Sequence, residues 1–552
     1  MPNSSSTSVA ANFHNSKDTA VYSSHQDFVL DCHALDIDSC YFYDLQKDSD
    51  IDVTTYSNIY TYKTNLQIPS NEMKKYYDIA EKLSKNAKGN QLDFKVEESC
   101  LRIFIPHKDF YQQRVFAVKI GYKTKKEGSS LTWAEDQNLR PCVFTSGHLL
   151  NNRSLMPCQD MPQAMSSWHC LITVPPFGEQ LTVLMAGEGE PAVDVREDGS
   201  QVFKYQSSYP MPASTFALAI GNWPLYCSFP HQIDNCFKQS TSCLGPRFQI
   251  FAPLNLHGQK LGRLKEYLQD CFHGLQSILG AYPLQRLDIL VVPEGFDSLG
   301  MMCPHLMFLS QSVLLCEDTQ AAFNMFYRVA HELCHTWLGV LTGPSDWTEE
   351  WLTEGICCYL EDVVHAKTLK WNEHETRERL EIRKLLKYRV LKAEINTTRE
   401  DLQTLRPNGD TSCASLSSMN AEPCIVKNGL NPEKTLLQVH YLKGFFLLKH
   451  LEELSGRDEF LGTLRRFIDA NLGQLFSSKD LLEHCFRELP KLRQSNLTVD
   501  IVCQEWLDTP GMPQPLTAFE VNEENSLYKD VKCEVRNRVT EAVNCVIELL
   551  LL

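Results

Sequence analysis

The spacing of apolar and polar residues divides the chain into a strand-rich part and a helix-rich part. From about Phe28 to Trp223, short runs rich in β-branched and aromatic residues are separated by Gly, Pro, Asn or Ser, a pattern typical of β-strands. Examples are CLRIFIP, RVFAVKIGY, SWHCLITVP, QLTVLMAG and STFALAIGNW. We therefore predict an all-β N-terminal domain, built as a sheet or sandwich of many short strands.

After RFQIFAP the apolar spacing becomes that of helices. LGRLKEYLQDCFHGLQSILG repeats apolar residues at three and four positions and ends on Gly280, where a helix commonly stops. One strand, LDILVVP, follows, and helical patterns then dominate to about Leu507. Between residues 396 and 429, Thr, Ser, Asn and Pro accumulate, which predicts a surface insertion.

These changes of pattern predict a multidomain α+β protein. The predicted parts are a flexible polar N-terminus (1–27), a β-rich domain (28–247), a mainly helical domain (248–511) and a C-terminal segment (512–552). A chain of 552 residues is long enough for about three or four domains. The last segment is charged and weakly patterned, and we interpret it as a fragment of a domain.

Composition and charge narrow the classes of function. The net charge of −16 disfavours binding to the phosphate backbone of nucleic acids. No run approaches the ~18 apolar residues of a membrane helix, and no secretory signal is visible at the start of the chain. The 21 cysteines lack a regular spacing and are interpreted as mostly reduced thiols. We expect a cytoplasmic protein without nucleic-acid or membrane partners, and the oligomeric state stays open.

The stretch AAFNMFYRVAHELCHTWLGVL combines helical periodicity with two histidines. His331 and His335 are four residues apart and therefore share one face of a helix. Two imidazoles one turn apart suit a tetrahedral zinc ion. Glu332 lies one position further round and could reach a water molecule at the metal without being a ligand.

A catalytic zinc needs a third protein ligand on a neighbouring element. DWTEEWLTEG predicts a second helix, opened by a capping box of Asp346 and Glu349. Glu354, nineteen residues after His335, is the natural third ligand. The alternative is an ordinary amphipathic helix, since a chance pair of histidines four apart with Asp or Glu after the first is expected roughly 0.07 times in such a chain. The second helix and its carboxylate favour the zinc site.

The motif pair HELCHTWLG and WLTEG resembles the zinc motif of the gluzincin aminopeptidase family, which includes leukotriene hydrolase. Three further segments resemble the family's N-terminal domain, its catalytic-tyrosine segment and its domain-ending linker: NNRSLMPCQDMPQAMSSWHCLITVP, HYLKGFFLLKHLEEL and EWLDTPGMPQP. The resemblance covers residues 95 to 515, and its finer detail, including SLGM and DWTEEWL, is that of one branch of the family.

This resemblance implies both a fold and a reaction. The fold would be a saddle-like β-domain followed by a thermolysin-like zinc peptidase domain. One Zn²⁺ per chain would be held by His331, His335 and Glu354. Glu332 would be the general base for zinc-activated water, and Tyr441 would donate a hydrogen bond to the developing oxyanion. The activity implied is removal of N-terminal residues from short peptides.

The loop before the zinc helix departs from the family pattern. Relatives carry G-x-M-E-N there, and its glutamate holds the free α-ammonium group of the substrate. Gly300 and Met301 align with the second and third positions of this loop, but Met302 replaces the glutamate and Cys303 the asparagine. The resemblance places Gly300, Met301 and Met302 at the substrate, together with Glu433. A neutral thioether cannot offset an ammonium charge, so the alternative is a peptidase with relaxed end specificity.

The second departure is one of length. Relatives continue into a helical-repeat domain, whereas this sequence ends at VKCEVRNRVTEAVNCVIELLLL. We interpret the end as a stub of that domain, as in a truncated splice form. A second alternative follows from this interpretation, namely a catalytically weak zinc-binding scaffold or regulatory isoform.

Overall fold

The structure is a computed structural model of the chain. It describes residues 5–11, 25–45, 78–79, 81–82, 89–106, 116–136, 138–147, 150–177, 181–230, 246–293, 295–314, 319–406 and 437–551. The predicted insertion at 396–429 falls largely outside these residues, as does Glu433. Within them, no helix is both long enough and apolar enough to cross a membrane.

The strands occupy mainly the first 310 residues. They are β1 (Ser5–Ala11), β2 (His25–Asp31), β3 (Leu35–Asp44), β4 (Asn90–Gln91), β5 (Asp93–Val96), β6 (Cys100–Pro106), β7 (Phe116–Thr124), β8 (Leu131–Glu135), β9 (Pro141–Thr145), β10 (Ser166–Val174), β11 (Thr182–Met185), β12 (Glu188–Val195), β13 (Gln201–Met211), β14 (Leu218–Gly221), β15 (Leu225–Pro230), β16 (Arg247–Phe251), β17 (Arg286–Val292), β18 (Gly300–Cys303), β19 (Leu306–Ser310), β20 (Gly343–Pro344) and β21 (Leu475–Phe476).

The helices follow the first sixteen strands. They are α1 (Gln259–Leu279), α2 (Thr319–His335), α3 (Trp351–Thr368), α4 (Glu373–Thr397), α5 (Val439–Ser455), α6 (Arg457–Asn471), α7 (Ser478–Glu488), α8 (Pro490–Gln494), α9 (Val499–Val502), α10 (Gln514–Thr517) and α11 (Ser526–Leu551). Most strands therefore precede the helices along the chain, with β17 to β21 lying among them, and the architecture is α+β.

The strand-rich part forms several sheets whose faces are set by side-chain alternation. The strand orders are β1-β7-β3-β4, β2-β6-β5, β10-β13-β12 and β11-β14-β9-β8. In β6, every second side chain is buried, namely Leu101, Ile103 and Ile105. Leu101 and Ile103 lie opposite Leu30 and Phe28 of β2, and this apolar face packs into a local core. Alternation with period two places these residues on one face of the sheet.

A five-stranded sheet connects the strand-rich part to the helices. Its order is β15-β16-β17-β19-β18. The pairs β16–β17 and β17–β19 are parallel, whereas β15 and β18 are antiparallel edge strands. The predicted domain boundary after residue 247 falls within β16, so β15 comes from the N-terminal side of that boundary. The division into domains stays a prediction.

Two of these strands lie where the sequence predicts helices. β18 and β19 occupy residues 300–310, after LDILVVP, where we expected helical structure to begin. All five residues of β19, LMFLS, are buried. A short run that is apolar on both faces is typical of a central parallel strand, but periodicity cannot distinguish it from a buried helical turn.

Among the central helices, α3 packs against both α2 and α5. Helix α3 is buried along almost its whole length, including its charged residues Glu354, Glu361 and Asp362. It crosses α5 at two glycines: a Cβ atom on Gly355 would lie 2.9 Å from the Cα of Gly444. The absence of side chains there lets the two backbones approach closely.

Candidate metal centre

Three side chains from two adjacent helices form a compact cluster of ligand atoms. His331 and His335 project from the last turn and a half of α2, and Glu354 from the first turn of α3. Nε2 of His331 lies 3.1 Å from Nε2 of His335 and 3.2 Å from Oε2 of Glu354. Nε2 of His335 lies 3.3 Å from the same carboxylate oxygen. The three atoms form a nearly equilateral triangle.

The dimensions of this triangle fit a tetrahedral zinc site. A zinc ion about 2.0–2.1 Å from each donor holds its ligands about 3.3 Å apart, and the observed edges are 3.1–3.3 Å. The donor set of two imidazoles and one carboxylate is also a common one for catalytic zinc with an open fourth position. Among the described residues, this is the one group of three such side chains that converges to hold a metal.

The second nitrogen of each imidazole is held by a hydrogen bond that fixes the ring. Nδ1 of His331 donates to Oε2 of Glu361 at 3.0 Å, and Nδ1 of His335 donates to the carbonyl oxygen of Leu338 at 2.9 Å. A proton on Nδ1 leaves the Nε2 lone pair free for a metal. Both histidines are therefore oriented as metal ligands.

Glu361 was not identified from the sequence. It lies on α3 seven residues after Glu354, and this two-turn spacing on one helix face is the signal that could have revealed it. Its other carboxylate oxygen accepts hydrogen bonds from Arg383 at 2.9 Å and Lys387 at 3.1 Å, both on α4. Asp362 also contacts both of these cations. The network balances the buried charge behind His331.

The charges around the metal-free triangle shift its pKa values. Burial lowers the pKa of His331, but hydrogen bonds to Glu354 and Glu361 outweigh burial and raise it to about 9. Burial raises the pKa of Glu354, yet the charges of and hydrogen bonds from His335 and His331 hold it well below its usual value. At neutral pH the metal-free centre therefore holds at least one proton that a metal ion must displace.

Glu332 lies beside the triangle and is tightly enclosed. Its side chain is 4% exposed, and Oε1 lies 3.4 Å from Nη1 of Arg328, one helical turn earlier. Strand β18 covers it from the other side: a Cβ atom on Gly300 would lie 2.5 Å from the same Oε1. The sequence predicts neither of these two contacts with Glu332. The Glu332 carboxylate therefore lies between the guanidinium group of Arg328 and the backbone of Gly300.

Tyr441, in the first turn of α5, faces the same centre. Its ring centroid lies 6.1 Å from that of His331. Burial, followed by the negative charges of Glu354 and Glu350, holds the pKa of Tyr441 well above its usual value. The phenol is therefore neutral at physiological pH and can act as a hydrogen-bond donor.

The loop residues assigned to the substrate lie on the edge strand β18. Gly300 faces Glu332, as described above, and Met302 is 8% exposed and belongs to the core of the helical part. Met301 packs on the opposite side of the strand, in the same apolar cluster as Cys303. The structure thus brings Gly300 to the metal centre and leaves little of the Met302 side chain exposed. Glu433 lies outside the described residues.

The predicted capping box before α3 is wrong in its details. The Oδ1 atom of Asp346 accepts from the backbone N–H of Thr348, so Asp346 caps a short 3-10 turn, Trp347–Glu349, rather than α3 itself. Glu349 instead accepts from the backbone N–H of Ser478 at 3.2 Å. The helix proper begins at Trp351, which places Glu354 in its first turn.

The sequence of the chain is similar to those of known aminopeptidases. The Peptidase family M1 domain matches residues 266–506. The chain is 37% identical to aminopeptidase O of Homo sapiens over 453 residues, which are 76% of this chain and 54% of that protein. It is 26% identical to aminopeptidase B of Mus musculus over 411 residues, 72% of this chain and 54% of that protein. The chain therefore spans about half the length of these relatives.

Solved structures show the same fold. Native yeast LTA4 hydrolase matches with a TM-score of 0.66 at 18% identity, over 93% of this chain and 66% of that one. Aminopeptidase A of Legionella pneumophila matches with a TM-score of 0.63 at 13% identity, over 92% and 48% of the two chains. The predicted likeness to the leukotriene hydrolase fold is confirmed, and the branch of the family suggested by the finer motifs is that of aminopeptidase O. On these grounds, the chain belongs to the M1 family of zinc peptidases, the gluzincin aminopeptidases.

Proposed function

We propose that the protein is a zinc metallopeptidase that removes N-terminal residues from short peptides. The observation that carries this proposal is the triangle of ligand atoms from His331, His335 and Glu354, whose edges of 3.1–3.3 Å fit tetrahedral zinc. Its family adds the class of substrate. The cytoplasmic location stays a prediction.

The residues around the triangle have the properties that peptide hydrolysis requires. Zinc, when bound, would polarise the scissile carbonyl group and activate water for attack. Glu332 would accept a proton from the attacking water and pass it to the nitrogen of the leaving amine. Because Glu332 is enclosed by Gly300 and Arg328, its carboxylate is held in one position before the substrate binds.

Tyr441 completes the proposed chemistry. The carbonyl oxygen gains negative charge as water attacks, and a neutral phenol O–H can donate a hydrogen bond to it. This donor is most useful in the transition state, when the charge has developed. The raised pKa of Tyr441 keeps its proton in place throughout the neutral pH range.

A second candidate function differs only in whether the peptidase requires a free N-terminus on its substrate. The glutamate that binds the α-ammonium group in relatives is replaced by Met302, which is largely buried. A thioether supplies no counter-charge for an ammonium group. This substitution favours a peptidase that does not depend on a free N-terminus.

Hydrolysis of one short peptide in free and N-acetylated forms, by the zinc-loaded protein, tests both candidates. Cleavage of the free form alone supports the aminopeptidase, and cleavage of both forms supports relaxed end specificity. Cleavage of neither, with one zinc ion bound per chain, contradicts both and favours a non-catalytic zinc protein. Glu332→Gln is the control: it should keep its zinc and lose turnover, since the amide cannot accept the proton.

A further inference from the structure

Arg328 is a charged residue at the metal centre to which the proposed reaction gives no contact with the substrate. It lies on α2 one turn before Glu332 and three residues before His331, so it shares the face that carries the metal ligands. Its side chain is 28% exposed, whereas that of Glu332 is 4% exposed. Arg328 is thus the more exposed member of this ion pair.

The contact with Glu332 uses only a small part of this group. Glu332 is the one ion-pair partner of Arg328 within the described part of the chain, through a single long contact of 3.4 Å from Nη1. A guanidinium carries five N–H donors in a fixed fork that suits bidentate carboxylate binding. The other nearby carboxylates are already engaged: Glu354 contacts both histidines and Glu361 contacts His331, Arg383 and Lys387. Donors of Arg328 therefore remain available for a ligand.

The contact of Arg328 with Glu332 places it near the part of a peptide substrate that leaves as the amine. If Glu332 passes a proton to the leaving amine, that nitrogen must come within about 3 Å of the Glu332 carboxylate. Nη1 of Arg328 lies 3.4 Å from Oε1 of this carboxylate, so a nitrogen that approaches the same oxygen lies within about 6.4 Å of Nη1. A side-chain carboxylate of Glu lies roughly 5 Å from its own backbone nitrogen, and an α-carboxylate lies closer. Both can meet the guanidinium group.

We propose that Arg328 is a specificity-determining residue that binds a carboxylate on the residue that follows the scissile bond. The carboxylate can belong to an Asp or Glu side chain at the second position of the peptide, or to the C-terminus of a dipeptide. The proposal rests on the proposed peptidase function and extends it to a class of substrate. With a neutral Met302 and a cationic Arg328, the site would bind cationic groups of a substrate more weakly and anionic groups more tightly.

Two pairs of matched substrates separate the sources of the carboxylate. Ala-Glu-amide against Ala-Gln-amide tests the side chain, and Ala-Ala with a free or an amidated C-terminus tests the α-carboxylate. A hydrogen-bonded charge pair corresponds to about tenfold to a hundredfold in kcat/KM. We expect the wild-type protein to favour the charged member of at least one pair by that factor. Equal rates in both pairs overturn the proposal but leave the peptidase function standing.

Variants of Arg328 distinguish a role in binding the substrate carboxylate from a role in positioning Glu332. Arg328→Met should bring the ratio of charged to neutral substrate close to one, and Arg328→Lys should restore part of it. Arg389→Met, on the exposed side of α4, is the matched control and should keep the wild-type ratio. An equal loss on both members of a pair in Arg328→Met would make Arg328 a positioning residue and overturn the proposal. Absence of cleavage of all four substrates by the zinc-loaded wild type would overturn the peptidase function and this proposal with it.

Discussion

At the scale of single residues, the position of Glu332 is set by neighbours from two different elements. Arg328 precedes it by one turn on α2, and Gly300 lies across from it on the edge strand β18. The helix alone would leave the carboxylate several rotamers. Contact with a cation on one side and a backbone on the other removes most of them, so the general base is pre-oriented for the reaction.

The substitution Gly300→Ala tests this orientation. Its Cβ would lie 2.5 Å from Oε1 of Glu332, and the carboxylate, being the end of a flexible side chain, would move aside. A misplaced catalytic group costs about a hundredfold in rate, so kcat should fall by that order while zinc content stays at one per chain. Gly462→Ala on α6 is the control, because only the side chain of Arg466 lies near it, at 3.5 Å. Full activity in Gly300→Ala would contradict the proposed confinement of Glu332.

The proton held by the metal-free centre predicts a pH dependence of zinc binding. Because the pKa of His331 is raised to about 9, zinc must displace a proton at any lower pH. Affinity should therefore rise by about tenfold per pH unit from pH 7 towards 9 for each proton displaced. Competition titrations with a chelator at several pH values measure this, and calorimetry in different buffers counts the protons released. A flat affinity over that range would contradict the raised pKa.

The raised pKa of His331 also predicts that the metal-free protein becomes less stable as the pH rises, whereas its zinc affinity increases. A histidine whose folded-state pKa is raised stabilises the fold fully below its unfolded value of about 6.5. That contribution is lost as the pH rises through the folded-state value of about 9. Denaturant unfolding of the metal-free protein at pH 6 and at pH 9.5 measures this effect. The loss of the His331 contribution should make the free energy of unfolding lower at pH 9.5.

At the scale of elements, the distance between α3 and α5 is set by a pair of glycines. Gly355 directly follows the ligand Glu354, and Gly444 follows Tyr441 by three residues on α5. A Cβ on either glycine would come within 3.0 Å of the backbone of the other helix. The crossing point of the two helices therefore determines how far Tyr441 lies from the metal ligands.

Gly444→Ala should separate these helices. The added methyl group would lie 3.0 Å from the Cα of Gly355 and 3.2 Å from the ring of Trp351, and overpacking of this kind costs about 1–3 kcal/mol. We expect a lower melting temperature and a lower kcat. If the loss of kcat arises through Tyr441, the same substitution should cost little further activity in a Tyr441→Phe background. Equal losses in both backgrounds would mean that the helices are coupled to activity in some other way.

Elements defined by local patterns could be predicted from the sequence, whereas contacts between elements could not. The helix over LGRLKEYLQDCFHGLQSILG appears as α1, Gln259–Leu279, with Gly280 at its end, because amphipathic spacing is a property of the segment itself. The approach of His331 and His335 likewise follows from their spacing. The position of β18 against Glu332 depends on sheet topology, so Gly300 was matched to a family loop without its contact being predicted.

At the scale of the whole molecule, an apolar cluster joins the strand-rich part to the helical part. Trp223 and Phe144 from the first part share this cluster with Phe296 and Phe308 from the loop and strand next to β18. The rings of Phe144 and Phe296 lie 5.8 Å apart. Arg286 of β17 also donates to the carbonyl oxygens of residues 187 and 189, at 3.1 and 3.0 Å. The two parts therefore share one core at their junction.

A shared core predicts that the two parts unfold together and that the zinc site is lost in the same transition. Trp223 is fully buried in this cluster, and its replacement by Ala should lower the free energy of unfolding by about 3–5 kcal/mol. Both tryptophan fluorescence and zinc release should then shift to lower temperature by the same amount, because neither part can melt while the other keeps the junction intact. Trp133→Ala, at a residue that is 75% exposed, should leave both midpoints unchanged. Two separate transitions in the wild type, with zinc released only in one of them, would show instead that the strand-rich part and the metal centre are stabilised independently.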